Sequence, residues 1–171
     1  MKKFLSMSLS MFLMTALPMV ALAQPATVAD PTYSFSFFGP QVNSAPSGTT
    51  SAGDTIRVTG SGSFDPVAAT VVAGGSFTVS DPSGSVVQHG TWKATAFGSF
   101  QAFGGPKSGI QGGTLQITVT MFPNGGSSMP DVSMTVNCLI AAPAGFTGSE
   151  GIVIGDFTQV LRGATLFHLN D

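Results

Sequence analysis

Few residues of this chain are of types that do chemistry, and their spacing is the first thing to weigh. The two histidines, His89 and His168, stand in no HExxH or comparable ligand spacing. His89 falls on the outward side of its run with Lys93, where a solvated side chain is the natural reading, and His168 lies between Phe167 and Leu169 as a half-buried packing residue. Glu150 and Asp156 share the parity of one strand face, but six strand residues span about 20 Å, too far for the ~5 to 9.5 Å of a glycosidase pair. Asp156 remains the one candidate acid, beside Ile154, and its charge then needs Arg162 or a place at the mouth of the fold, because a buried unpaired carboxylate is costly. Cys138 is the only cysteine, so an intrachain disulfide and a Cys-rich metal site are both excluded. It alternates with Val132, Met134, Val136 and Ile140, which reads as core filling. The chain has no Gly-x-Ser-x-Gly elbow, and Gly105-Pro106-Lys107-Ser108 lacks the glycine and the helix of a phosphate loop. No enzyme, cofactor or metal centre follows from these residues.

A second group invites a binding role. Gly60, Gly75 and Gly90 fall in one inward row if Phe64 pairs with Val71 and Val79 with Val86. A glycine row lets strands coil and leaves volume beside Trp92. That volume is either filled by the indole or is a ligand cavity with Trp92 as its wall. Phe97, Phe100 and Phe103 follow in a Gly-rich loop, as a plug for one end or as a lid over such a cavity. The ligand-binding candidates are therefore Gly60, Gly75, Gly90, Trp92, Phe97, Phe100 and Phe103.

The elements that must carry these residues read as strands throughout. From residue 33 onward, short alternating runs rich in Val, Ile, Thr and Phe are separated by Gly, Pro, Asp, Asn and Ser. The runs predict strands at 33–38, 54–64, 70–80, 85–97, 114–122, 131–140, 151–158 and 164–169. Asp65-Pro66 and Asp81-Pro82-Ser83-Gly84 open type I turns. The connections are mostly too short for a helix, which predicts an all-β fold, an antiparallel up-and-down β-barrel of about eight strands, with a two-sheet β-sandwich as the alternative. The run at 152–154 is apolar at every position and is expected to be covered on both sides or to lie at an interface.

Residues 1–23 have the tripartite form of a secretory signal peptide. Lys2 and Lys3 precede an apolar run from Phe4 to Leu17, Pro18 breaks it, and Ala21-Leu22-Ala23 offers a small-x-small cleavage site. The apolar run is short of the roughly 20 residues that span a bilayer. The division expected is 1–23 signal peptide, 24–53 N-terminal strand and flexible linker, and 54–171 β-barrel domain, in a secreted or periplasmic protein. Losing Lys2 and Lys3 with the leader moves the formal charge from −2 to −4, which argues against a nucleic-acid partner.

The blocks Gly-Ser-Gly-Ser-Phe-Asp-Pro at 60–66, Gly-Gly-Ser-Phe-Thr at 74–78 and Gly-Thr-Trp at 90–92 loosely resemble a group of exported β-rich proteins with no established activity. In connectivity the chain is also similar to small barrels of the lipocalin and allene oxide cyclase classes, an analogy of architecture that carries no function with it. The function expected is that of an exported, non-enzymatic protein holding a small apolar ligand. A structural or interaction module of the cell envelope, working as a homo-oligomer, is the alternative, and an isomerase or hydrolase using Asp156 and a histidine comes third.

Overall fold

The computed structural model describes residues 31–107 and 109–170. The signal peptide and cleavage site expected at residues 1–23 lie outside them. Ten strands and no helix make up the described chain: β1 Thr32–Phe37, β2 Gln41–Ser44, β3 Thr55–Asp65, β4 Thr70–Ser80, β5 Val86–Lys107, β6 Ile110–Pro123, β7 Met129–Cys138, β8 Gly151–Ile154, β9 Gln159–Arg162 and β10 Thr165–Asn170. All pairings are antiparallel, and they return to their start through β1, β3, β4, β5, β6 and β10. The fold is therefore all-β and antiparallel, with hydrogen bonding that runs round as a ring. Such an order is compatible with both the barrel and the sandwich.

Alternation explains which face turns inward. On β3 and β4, Ile56, Val58, Phe64, Phe77 and Val79 are buried, and the residues between them are polar and more exposed. Leu115, Ile117, Val119 and Met121 continue the buried face on β6, and Met134, Val136 and Cys138 do so on β7. Cys138 packs in the core as its phase predicts, and burial pushes its thiol above the ordinary value. Ile152 and Ile154 of β8 are fully enclosed and Val153 is half-buried, so the apolar run at 152–154 is covered on both sides.

The β4–β5 hairpin corrects the predicted register. Asp81 pairs through its backbone with Ser85, and its carboxylate accepts hydrogen bonds from the Ser83 N–H and hydroxyl and the Ser85 N–H. This five-residue turn pairs Ser80 with Val86, a bulge then sets Val87 outside the ladder, and Val79 meets Gln88. From Gln88 onward the partners are displaced by two residues, so Gln88, Gly90 and Trp92 keep their face, while Val86, beyond the bulge, turns outward and is exposed. Gly60 still faces Gly75, but the neighbour of Gly75 is Trp92, while Gly90 pairs with Phe77. The row is Gly60, Gly75, Trp92 and Met121.

The same turn makes a testable contribution at acid pH. The Ser83 hydroxyl, followed by the Ser85 N–H, holds the Asp81 carboxyl below its ordinary 3.8. A depressed folded pKa stabilises the fold fully above the unfolded value and is lost as pH falls through the folded one. Asp81→Asn should lower the urea midpoint at pH 7, and the gap from wild type should close as pH drops below about 4. A gap independent of pH would deny the charge any role in the turn.

Two parts of the chain read as loops are strands. Residues 98–107 extend β5 to 22 residues, with register shifts at Ala94/Ala96, Phe97/Ser99 and Ala102/Gly104. These bulges break the period of two, so Phe97 and Phe100, three residues apart, both reach the core. Within the predicted flexible linker, residues 41–44 form β2, with Gln41 and Asn43 completely buried. The strand predicted at 151–158 stops at Ile154, and β9 follows as a separate strand.

Candidate functional site

Four connections meet at one end of the ring: those between β2 and β3, β4 and β5, β6 and β7, and β8 and β9. Residues of the β2–β3 and β8–β9 connections, with the ends of β4, β5, β6, β7 and β8, line a cleft of about 470 Å³ there. Its floor is apolar, made by Val79, Met121, Val132, Ile154 and Phe157, and Val87 and Met129 stand exposed at its edge. Val79, Met121 and Ile154 belong to the same buried cluster as Trp92, so the floor is the outer layer of the core. The remaining lining is polar or glycine: Thr50, Ser51, Asp54, Gln88, Gly155 and Asp156.

Irregular backbone shapes this end. One bulge lies between Val79 and Ser80, opposite Val86 and Val87, and a second lies between Val119 and Met121, opposite Met129 and Val132. In the second, Asp131 takes φ +58°, a conformation that costs a non-glycine residue about 1 kcal/mol or more. Bulges and strained residues gather beside binding sites because they re-aim side chains that a regular ladder would hold apart. Here they turn Val87, Met129 and Val132 toward one volume.

The sequence candidates lie elsewhere. Trp92 is fully buried and donates from its indole to the Thr59 carbonyl at 3.0 Å. Thr59 and Gly60 fall between the β2-paired and β1-paired parts of β3, so the indole N–H serves the backbone where the flanking strand bends. A Cβ on Gly60 would overlap the indole, and one on Gly75 would lie 2.7 Å from the indole nitrogen and from the Gly60 Cα. The space that the glycines leave is the space that the indole occupies. Gly90 faces the Phe122 carbonyl on the neighbouring strand.

Phe97 and Phe100 join Tyr33, Phe35, Phe64 and Phe167 in an aromatic cluster. Phe100 lies 4.8 Å from both Tyr33 and Phe64 and 5.1 Å from Phe167. Phe103 is half-buried and meets Phe146 edge-on at 5.0 Å. Phe97 and Phe100 therefore pack against the core, and Phe103 packs apart from it on Phe146.

Of the polar candidates, Asp156 stands in the cleft lining, exposed, with the Thr50 hydroxyl donating to it at 3.4 Å. A place at the mouth of the fold is what its charge required. No histidine joins it: His89 is exposed opposite Thr78, His168 is exposed opposite Ser34, and neither lines the cleft. The described residues contain no group of three His, Cys, Asp or Glu side chains placed to hold a metal ion.

Comparison with protein-family models, with curated proteins and with solved structures finds no match. The site must be read from its own chemistry.

The residues that sequence reasoning missed form a polar seam beside the ring, where β8 has no ladder partner on its second side. Asn43 donates to the Ile152 carbonyl at 2.6 Å and to the Phe157 carbonyl at 3.2 Å, replacing the absent strand. Gln41 donates to the carbonyls of Ala164 and Gly39, where the paired strands bend. Glu150 accepts from the Leu139 N–H at 2.6 Å and from the Thr165 N–H at 2.8 Å, and Thr165 in turn donates to the Asn137 carbonyl. Close approach needs glycine here, since a Cβ at Gly163 would sit 2.6 Å from the Gly151 Cα. The signal available was a pair of amide residues two apart, Gln41 and Asn43, in a stretch whose Ser, Gly and Pro content otherwise reads as loop.

Proposed function

We propose that this is an exported, non-enzymatic binding protein that holds a small apolar ligand in the cleft at the end of the ring where the four connections meet. The observation that carries the reading is a cleft of about 470 Å³ with an apolar floor of Val79, Met121, Val132, Ile154 and Phe157. Ligand pockets are typically of ~300–1,000 Å³ with apolar walls and a few polar groups, and this one has both. The two bulges support it, because they re-aim side chains beside the cleft. Export rests on the tripartite leader at residues 1–23. Among the described residues no helix is long and apolar enough to cross a membrane.

The cleft replaces the glycine row as the site because the indole takes up the volume beside the row. Val132→Phe tests this, since Val132 is half-buried in the lining and a larger ring there fills the cleft. Native mass spectrometry of protein from an exporting host should show an adduct, released by organic solvent, on the wild type and none on Val132→Phe. An adduct retained by the variant would move the site elsewhere. A bare wild-type chain, also after incubation with a lipid extract of the host, would overturn the reading.

A further inference from the structure

The charge around this cleft is one-sided. The connecting residues 45–54, 81–85, 124–128 and 155–158 include Asp54, Asp81 and Asp156 and not one Lys, Arg or His. Asp131, at the start of β7, adds a fourth carboxylate beside the Met129 and Val132 lining. None of Arg57, Lys93 and Arg162 is in the cleft lining: Arg57 and Arg162 are exposed on either side of Val42, and Lys93 is exposed opposite Gly74. Four of the chain's eight carboxylates therefore belong to the segments at this end: Asp54 and Asp156 line the cleft, and the Asp81 carboxylate is held within its own turn.

We propose that the occupant of the cleft is an apolar cation, an amine with a hydrocarbon body. The body lies on the Val79, Met121, Val132, Ile154 and Phe157 floor, and the ammonium group is held at the rim by Asp54 and Asp156. This rests on the cleft being the binding site and adds the class of molecule that it takes. A cleft with carboxylates at its edge and apolar walls focuses its negative potential outward and raises the local concentration of cations. An ammonium group offers both carboxylates charge-assisted hydrogen bonds. The apolar floor gives a carboxylate-bearing or phosphate-bearing amphiphile the same burial, but sets its head group against two like charges. A bare divalent cation is a poorer match, since Ca²⁺ takes about 6–8 oxygens and the lining supplies only two carboxylates on an apolar base.

The test is calorimetric titration of the exported protein at low ionic strength with three probes of one chain length: decylammonium, decan-1-ol and decanoate. Decylammonium should bind at least about tenfold tighter than decanol, the usual effect of a hydrogen bond to a charged group. Decanoate should bind more weakly than decanol, and 0.5 M salt should shrink both differences. Asp156→Asn should lower decylammonium affinity several-fold more than it lowers decanol affinity. Asp156 is exposed and bonded only to the Thr50 hydroxyl, so the variant is expected to fold. If all three probes bind equally, or Asp156→Asn weakens decanol as much as decylammonium, the cation assignment falls while the cleft stands. If none binds, both fall.

Discussion

Replacing Trp92 by alanine should cost about 3–5 kcal/mol of stability, the usual range for a buried aromatic truncated in a packed core. The loss should appear as a lower urea midpoint at unchanged slope. The indole is fully buried, stacks near Phe37 at 6.3 Å and donates to the Thr59 carbonyl. Nothing adjacent can move in to replace it, because Gly60 and Gly75 beneath it have no side chains. The variant should therefore keep a cavity lined by glycine backbone and aromatic carbon, and dry apolar cavities of this kind take up small aromatic molecules. Indole added at millimolar concentration should raise the melting temperature of Trp92→Ala by more than that of the wild type, and Val132→Phe, which fills the cleft, should remove any rise in the wild type. A wild-type rise that survives Val132→Phe would mean that the interior keeps open volume beside Trp92, and the cleft would lose its claim as the site.

Glu150→Ala should be nearly as damaging, at about 3 kcal/mol, because it orphans two backbone donors at once. Each unsatisfied buried group costs roughly 1–3 kcal/mol. The Leu139 and Thr165 N–H groups both end on this carboxylate. Those bonds join the end of β7 to the start of β10, across the stretch where β8 lacks a ladder partner. Hydrogen exchange would separate this from a general loss of packing: protection should fall first at Leu139, Thr165 and β8, with β3 to β6 protected to the global limit. Uniform loss over all strands would show that the seam is not a local fastening.

Much of the fold was legible because burial follows parity. Ile56, Val58, Phe64, Phe77, Val79 and the β6 and β7 runs alternate without interruption, and each predicted face is the observed one. Partners across strands were less legible than faces. The β4–β5 register depended on how many residues the Asp81 turn would hold and on the bulge at Val87, and neither leaves a mark in an alternation pattern. Phe97, Phe100 and Phe103 read as loop for the same reason, since bulges replace a spacing of two by one of three. Gln41 and Asn43 were hidden by their polarity. They are buried because the backbone around them lacks partners, a fact of topology that no local window contains.

The cleft was the least legible feature. Its lining comes from residues 50–54, 79–88, 121–132 and 154–157, four segments that are unremarkable singly and meet only when the ring forms. Asp156 is the exception. Its parity beside Ile154 raised a carboxylate that needed either Arg162 or a place at the mouth of the fold, and it lines the cleft.

The most direct test of the account follows methionine methyl groups by NMR while decan-1-ol is titrated into protein labelled at those carbons. Met121 and Met129 line the cleft, whereas Met134 is fully buried and outside its lining. The account predicts saturable shifts at Met121 and Met129 with Met134 and the Trp92 indole N–H unmoved. Shifts at the Trp92 indole and Met134 without Met121 and Met129, or no saturable shift at any of them, would contradict it.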